Sequence, residues 1–452
     1  MNRQQAYAFH FDYTKCMMMK MPMAYPNREG NGSIVINTFA DALEIIRKVD
    51  AMTLGIQKIM YLVGWQYHGH DDKYPDFFQV NEALKREGES ARDSMLWLIR
   101  EAKKYHTVVS VHINFNDAYE NAPSFARFVK AGALIRNRKG RPQAIERYNG
   151  RKCYKTSFVE YWESGLFCEQ FDRLLELLPL AEAGTIHVDN FQCYRNYAPD
   201  ISIQAMQAAR RKMIDYVMKQ EIDITSEFTY REDESLPNRP FLGLPREHNP
   251  KAPMDTLGLI PASWWCTRMR KEEYVAISPQ VYCGGIYKDG RYGKYLYGNM
   301  HGEDIFQKYH QKGANWAKAF LHDFATVQVP FHFLCGYRRE AILGWGNNQR
   351  CVFSGGVVSY CRSRKITVHG ETVKEGDHLL LPLVHLEDTY FAYSKEGCRR
   401  TWSLLEKGYQ KAALFRVDPN GCVACGERTI RKDTIELELS PGEALVLRME
   451  RA

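Results

Sequence analysis

Two hydrophobic periods alternate along most of the chain, from residue 5 to about residue 340. Short apolar runs have the spacing of buried strands, and most of the stretches between them carry apolar residues at helical spacing. The predicted strands are 6–13, 56–65, 107–115, 185–191, 222–228, 257–265, 277–282 and 329–334. The predicted helices are 38–49, 90–105, 167–178, 203–220 and 304–324, with Ser90 as an N-cap.

This alternation predicts a parallel sheet. Repeated strand–helix units imply parallel strands, because a crossover helix carries the chain back to the edge from which the next strand starts. Eight such strands in one layer favour a closed (β/α)8 barrel of the TIM type, formed by residues 1–355. An open doubly wound sheet is the alternative, but no glycine-rich dinucleotide fingerprint or P-loop supports it.

The pattern changes after about residue 356. Short β runs at 365–369, 378–384, 389–393, 412–417, 434–439 and 444–447 are separated by turn residues, and only 402–405 indicates a helix. We therefore expect residues 356–452 to form a C-terminal antiparallel β-sandwich. No low-complexity linker precedes it, so the two domains are expected to pack closely.

The composition excludes several classes of protein. Hydrophobic residues make up 45% and charged residues 25% of the chain, which is typical of a globular protein and unlike a disordered one. The net charge of +7 is spread along the chain. The densest basic run, Arg136 to Arg141, has no interleaved aromatic residues, which favours a solvated loop over a nucleic-acid-binding patch.

Membrane insertion and export are not expected. No apolar run is long enough to span a bilayer, and the apolar stretch 16–22 is interrupted by Lys20 and Pro22. Twelve cysteines without an export signal fit reduced thiols, so a cytoplasmic location is the expectation.

Polar residues follow the predicted strands at the end where a barrel builds its active site. Asp189 and Glu227 end consecutive strands, and a carboxylate next to an apolar run is costly unless it is paired or functional. A pair of carboxylates about 5–5.5 Å apart is what a retaining glycosidase needs, one as nucleophile and one as acid/base. The alternative is a structural role in ion pairs with Arg195 or Arg231.

Other polar and aromatic residues lie at neighbouring strand ends. His70, Asp71 and His112 could bind a metal ion, although their spacing fits no specific metal motif, or they could bind sugar hydroxyls. His112 alone is equally typical of a core histidine. Trp65 and Trp264 could stack on a sugar ring, although aromatic residues at such positions also fill barrel cores.

Four segments resemble a known family. Gly69-His-Asp71, Val111-His-Ile-Asn114, His187-Val-Asp189 and Ser226-Glu227 resemble the endo-α-N-acetylgalactosaminidases of glycoside hydrolase family 101 and the related α-N-acetylgalactosaminidases of family 129. They occur in the order of the family and with similar spacing, over about residues 56–230. The tryptophans that the family carries before its nucleophile strand have no clear match here.

The resemblance implies a retaining α-glycosidase that acts on α-linked N-acetylgalactosamine or a related galactose-type sugar and needs no cofactor. Asp189 would be the nucleophile and Glu227 the acid/base. His70, Asp71 and His112 would bind the sugar in the cleavage subsite, with Asn114, Trp65 and Trp264 as further substrate-binding candidates. The expected partner is a carbohydrate, not nucleic acid or a membrane. The alternatives are a metal-dependent barrel hydrolase that uses His70, Asp71 and His112, and a catalytically inactive glycan-binding barrel.

Overall fold

The computed structural model describes most of the chain. The ranges are 10–11, 15–148, 150–189, 191, 193–226, 315–337, 339–343, 350–360 and 363–451, with short segments at 269–270, 286–289, 293–296, 300–301 and 305–306. Within these ranges no helix has the length and apolar character needed to cross a membrane.

The N-terminal region contains fourteen described strands and most of the helices. The strands are β1 (Met17–Pro22), β2 (Ala24–Pro26), β3 (Ser33–Val35), β4 (Lys58–Val63), β5 (Thr107–Ile113), β6 (Asp117–Tyr119), β7 (Ala144–Tyr148), β8 (Arg151–Lys155), β9 (Thr185–Val188), β10 (Asp223–Ser226), β11 (Met269–Arg270), β12 (Ile286–Asp289), β13 (Gly293–Leu296) and β14 (Met300–His301). The helices are α1 (Phe39–Thr53), α2 (Ala91–Ala102), α3 (Phe125–Ala131), α4 (Phe158–Glu163), α5 (Leu166–Leu177), α6 (Leu180–Ala183), α7 (Ile203–Met218), α8 (Asn315–Asp323) and α9 (Val329–Cys335). Two 3₁₀ turns, Glu82–Leu84 and Lys103–Tyr105, and a π-helical segment, Phe324–Gln328, complete the list.

A six-stranded parallel sheet forms the centre of this region. Its order is β10-β9-β5-β4-β1-β14, and every neighbouring pair is parallel. The early strands lie side by side in chain order, while the late strand β14 returns to pair with β1. The expected α/β class and parallel topology are confirmed. The described strands form an open series from β10 to β14, so closure of the barrel stays a prediction.

The two faces of this sheet differ in chemistry because side chains alternate along each strand. One face, with Met19, Leu62 and Val111 among its members, belongs to the large apolar core shared with the helices. The opposite face, called here the inner face, starts with a small apolar cluster that includes Met18 and Tyr61. Further along the strands this inner face becomes polar.

Local sequence signals explain where the main helices begin. Thr38 caps α1 through a capping box with Asp41, in which each side chain accepts a hydrogen bond from the backbone of the other residue. Ser90 accepts a hydrogen bond from the Asp93 N–H and caps α2, as predicted.

One predicted strand is wrong, and another is contradicted at its described residues. Residues 329–334 form helix α9, which continues α8 after the π-helical segment, and Pro330 lies in its first turn. A short apolar run does not distinguish a buried helix from a strand, and proline is tolerated at a helix start. The first described strand is β1 (Met17–Pro22), and residues 10 and 11, the described residues of the predicted strand 6–13, form a bend. Every residue of β1 is buried, including Lys20, so the strand lacks the alternation that marks a half-buried strand. The predicted strands 257–265 and 277–282 lie outside the described residues.

The C-terminal region is an antiparallel β-sheet domain. Its strands are β15 (Arg339–Leu343), β16 (Arg350–Phe353), β17 (Val357–Tyr360), β18 (Lys365–Val368), β19 (Glu371–Glu375), β20 (His378–Pro382), β21 (Thr389–Ser394), β22 (Cys398–Ser403), β23 (Tyr409–Asp418), β24 (Gly421–Thr429), β25 (Thr434–Leu439) and β26 (Glu443–Arg451). Ten of them form one sheet in the order β15-β16-β17-β18-β19-β20-β21-β26-β23-β24, and β22 pairs with β25. The ten-stranded sheet thus includes strands on both sides of the predicted boundary at 355/356.

The β22–β25 pair covers one face of the ten-stranded sheet. Trp402, Ile435 and Leu437 from the pair share an apolar cluster with Leu414 and Leu447 of the large sheet. The predicted helix at 402–405 is therefore wrong at Trp402, which lies in β22 opposite Ile435. Four residues are too few to establish a helical period. The other face of the large sheet contributes to the apolar cluster of the N-terminal region, so the two regions pack together as expected.

Candidate active site

The inner face of the parallel sheet carries a connected set of buried polar groups. The Tyr61 hydroxyl lies 2.6 Å from Oγ1 of Thr185, and the Ser110 hydroxyl donates to the Thr185 carbonyl at 2.5 Å. One step further along the strands, Nδ1 of His187 lies 2.7 Å from Oγ1 of Thr225. These bonds satisfy polar groups that would otherwise be costly to bury, and they fix the strands below the site.

Three adjacent strands repeat the same polar alternation. Ser110 and His112 lie on β5, and Thr185 and His187 occupy equivalent positions on β9. His112, His187 and Thr225 are in register across β5, β9 and β10, and the rings of the two histidines lie 5.2 Å apart. Continuing the period of two brings Asn114 and Asp189 onto the same face, at the C-terminal edge of the sheet.

Asn114 connects two carboxylates at this edge. Its Nδ2 donates to Oδ2 of Asp117 at 2.9 Å and lies 3.4 Å from Oδ2 of Asp189. Its Oδ1 accepts hydrogen bonds from the backbone N–H groups of Asn116 and Asp117. Asn114 is fully buried, so its hydrogen-bonding capacity is directed at the protein. The side chain is therefore placed to orient Asp189.

Asp117 also forms a buried ion pair with Lys155, which reaches the site from β8. Burial alone would lower the pKa of Lys155. The electrostatic effects of the Asp117 carboxylate and of Tyr194 outweigh burial, and the pKa of Lys155 is therefore raised. Lys155 lies 5.3 Å from the centre of the Tyr194 ring. Sequence analysis did not find Lys155, because it belongs to an insertion whose contact with Asp117 exists only in the folded chain.

The loop after β4 supplies the predicted His70 and Asp71. Nδ1 of His70 lies 3.0 Å from the Tyr74 hydroxyl, and its Nε2 lies 3.5 Å from Oδ2 of Asp71. Burial raises the pKa of Asp71, although the nearby His70 and a hydrogen bond from Tyr119 act in the opposite direction. The His70 ring lies edge-on to His112 at 5.3 Å, which brings this loop against the polar strands.

A glycine lets the same loop approach the sheet closely. Gly69 has a φ of +131°, and a Cβ at this position would lie 2.4 Å from the Ala24 carbonyl oxygen. Only glycine fits both conditions. The Gly69-His70-Asp71 segment therefore depends on its glycine for the position of the two functional side chains.

Trp65 lies behind these residues. It is fully buried, stacks on Phe77 and donates its indole N–H to the His112 carbonyl at 3.3 Å. In this position it supports His112 and exposes no ring face.

Among the predicted site residues, the structure thus brings together His70, Asp71, His112, Asn114 and Asp189. Glu227 and Trp264 lie outside the described residues.

Two alternatives from the sequence gain no support from the described geometry. The Arg195 guanidinium lies 4.8 Å from the centre of the Tyr197 ring and forms no ion pair with a described carboxylate, and Arg231 lies outside the described residues. In the described part of the chain, no group of three or more His, Cys, Asp or Glu residues could hold a metal ion.

One family model matches the N-terminal half of the chain. Residues 14–235, which include β1 to β10 and all of the described site, match the family model described as endo-alpha-N-acetylgalactosaminidase. No curated protein matches the chain significantly.

Solved structures show a similar fold at low sequence identity. The ligand-free alpha-N-acetylgalactosaminidase NagBb from Bifidobacterium bifidum superposes with a TM-score of 0.51 at 15% identity, covering 78% of this chain and 57% of that protein. Its GalNAc complex gives a TM-score of 0.50 at 16% identity, with the same coverage. The present chain thus spans little more than half the length of that enzyme.

Proposed function

We propose that the protein is a retaining α-glycosidase, on the ground that residues 14–235 match the endo-alpha-N-acetylgalactosaminidase family model of glycoside hydrolases. The proposed substrate is a glycoside of α-linked N-acetylgalactosamine or a related galactose-type sugar. The observation on which the proposal rests is the position of Asp189. This residue directly follows β9 and lies beside the Asn114 amide. The neighbouring strand and loop carry His112, His70 and Asp71. The return of β14 to β1 is our ground for proposing a closed (β/α)8 barrel.

We propose Asp189 as the nucleophile and Glu227 as the acid/base. Asp189 Oδ attacks the anomeric carbon, the glycosidic C–O bond breaks, and the leaving oxygen takes the proton of Glu227. Water then attacks the anomeric carbon of the glycosyl ester, Glu227 takes its proton, and the sugar leaves with its α configuration restored. The ground for Glu227 is its sequence position, two residues after Thr225 as Asp189 is two residues after His187.

The remaining residues would bind and orient the sugar. Asp71 is one-fifth exposed, and His70 and Asp71 together face the site with groups that can donate and accept hydrogen bonds to sugar hydroxyls. His112 would act in the same subsite, Asn114 would hold the nucleophile, and Trp264 would stack on the sugar. The cytoplasmic location, the independence from cofactors, the β-sandwich and the domain boundary at 355/356 stay predictions.

The test is hydrolysis of a panel of α- and β-linked 4-nitrophenyl glycosides, including α-GalNAc, α-Gal and the α-linked Gal-GalNAc disaccharide. Asp189→Asn should abolish turnover, whereas Asp172→Asn, a matched change on helix α5, should preserve it. NMR of the first product should show the α-anomer. A β-anomer would contradict the double displacement, and an active Asp189→Asn variant would contradict the nucleophile.

A second variant separates the acid/base from the nucleophile. Glu227→Gln should lose far more activity on glycosides with poor leaving groups than on activated aryl glycosides, because only the former need a proton. Equal loss on both substrate types would count against Glu227. Binding of GalNAc without turnover of any glycoside would favour an inactive glycan-binding barrel.

A further inference from the structure

The insertion between β5 and β9 contains a strongly basic segment. Residues 134–155, called here the basic hairpin, hold eight basic residues and one acidic residue. Their net charge equals that of the whole chain, +7, so the rest of the sequence is neutral on balance. The role proposed above for the site does not use this concentration of charge.

The basic hairpin lies across the C-terminal edge of the parallel sheet. It ends in β8, where Lys155 meets Asp117 at the site. The other end of β8 reaches the loop after β4, where Arg151 lies 3.4 Å from Asp72. Its first turn packs on the loop after β9, because the Arg136 carbonyl accepts a hydrogen bond from the Tyr197 N–H at 3.0 Å. The hairpin therefore borders the side of the site that faces away from the sheet.

Several of its cations have no carboxylate partner among the residues that the structure describes. Arg151 and Lys155 have carboxylate partners, but the exposed Arg138 and Arg141 form no ion pair with a described carboxylate. Arg138 lies 5.4 Å from the centre of the Tyr197 ring, which Arg195 of the β9 loop also covers. Two guanidinium groups thus share one aromatic ring, and their mutual repulsion is relieved when an anion binds between or beside them.

We propose that the basic hairpin and Arg195 bind an anionic group on the leaving-group side of the substrate. The group is a carboxylate, sulfate or phosphate carried by the aglycone, and an acidic glycopeptide is the source we favour. Guanidinium groups on an aromatic platform suit planar or tetrahedral oxyanions, whereas neutral sugar hydroxyls gain little from them. This inference rests on the proposed glycosidase function, since it adds a second subsite to the same cleft.

The experiment compares two glycopeptides that differ only in charge. Both carry α-GalNAc on one threonine, flanked in the first by aspartates and in the second by asparagines. At low salt, kcat/KM for the acidic peptide should exceed that for the neutral peptide by about tenfold, as expected for electrostatic steering into a charged cleft. The ratio should approach unity in about 1 M NaCl, where the Debye length is about 3 Å.

Variants locate the effect. Arg138→Gln/Arg141→Gln should reduce the acidic-to-neutral ratio to about twofold, because two of the unpaired cations are lost. Lys103→Gln/Lys104→Gln removes the same charge from the turn before β5, at the opposite edge of the sheet, and should leave the ratio unchanged. Equal loss of the ratio in both double variants would mean a general effect of net charge and would overturn the proposal.

Binding measurements distinguish this inference from the proposed function. If neither peptide is hydrolysed, calorimetry with the same two peptides still tests the subsite, and tighter binding of the acidic peptide would support it. Equal turnover of both peptides would refute the anionic subsite and leave the glycosidase function intact. Stronger competition by a short single-stranded DNA than by an unglycosylated acidic peptide would assign the hairpin to nucleic acid instead. Glycopeptides with sulfoserine or phosphoserine in place of the aspartates identify which oxyanion binds best.

Discussion

The buried pair of Lys155 and Asp117 allows a prediction whose size follows from the structure. The Lys155→Met change removes the ammonium group and keeps the side-chain length. The two side chains are 1% and 6% exposed, so water cannot replace the lost partner of Asp117. Removing one member of a buried pair costs about 3–5 kcal/mol. Because Asn114 still donates to Asp117 at 2.9 Å, we expect the lower end, about 3 kcal/mol.

Urea unfolding of the wild type, Lys155→Met, Asp117→Asn and the double variant measures this free energy. Each single change leaves one buried group without its partner, whereas the double change leaves a neutral pair. The double variant should therefore be about 2 kcal/mol more stable than the sum of the single losses predicts. Lys103→Met removes an exposed partner of Glu182 and should cost at most about 0.5 kcal/mol. Additive losses, or a Lys155→Met variant as stable as Lys103→Met, would refute the reasoning.

The same pair has a defined pH dependence. The pKa of Lys155 is raised in the folded protein, so its stabilising contribution is fully present below the unfolded pKa of about 10.4 and is lost only as the pH rises beyond it. The stability difference between the wild type and Lys155→Met should thus stay constant from neutral pH until the solution becomes strongly alkaline. A difference that changes near neutrality would mean that another group controls it.

Three further predictions concern other parts of the structure. Asn114→Ala should lower kcat by about a hundredfold with little change in KM, because displacement of Asp189, the proposed nucleophile, affects the reaction more than binding; steady-state kinetics with matching losses in both constants would contradict this. Since burial raises the pKa of Asp71, the carboxylate forms only at higher pH than usual. The acid limb of the kcat/KM profile should therefore move to lower pH in Asp71→Asn, and an unmoved limb would exclude Asp71 from it. Burial lowers the pKa of His385 to about 4, although hydrogen bonding to the backbone of Thr53 and Leu54 acts to raise it. The wild type should lose stability as the pH falls from about 6.5 towards 4, and urea midpoints of His385→Gln should lose this part of the pH dependence.

Sequence signals predicted those elements whose pattern is local. Ser90 was identified as an N-cap because its side chain needs only a neighbour three residues away, and β5 was identified because its apolar run is long. Strand β1 was missed because its burial on both faces removes the alternation and places Lys20 in the interior. Helix α9 was taken for a strand because a short, largely apolar run fits either structure, and its membership of a long helix depends on the preceding π-helical turn.

The candidate site was predictable to the extent that it lies on consecutive parallel strands. His112, Asn114 and Asp189 could be placed together, because adjacent strands end at one edge and a period of two decides which side chains share a face. Lys155 and Tyr119 could not be placed there from the sequence. Both come from the inserted sheet β6-β8-β7, and its strand register, including the pairing of Lys155 with Asp117, is set by tertiary packing. Trp65 was assigned to the substrate, but its contacts with Phe77 and His112 could not be foreseen from its position at a strand end.

The polar inner face distinguishes this sheet from the usual interior of a parallel barrel. Parallel barrels usually fill this face with branched aliphatic residues, whereas this sheet has Ser110, Thr185, His187 and Thr225 in buried, hydrogen-bonded positions. Each of these groups is costly to bury unless its neighbours satisfy it, so substitutions at one strand require changes at the next. Asn114 and Asp189 follow His112 and His187 by two residues on the same two chain segments, so their positions depend on the register of β5 and β9. A chain that keeps this chemistry is therefore expected to retain the strand residues together, while its helices and its C-terminal sheet, which only need apolar packing, can diverge.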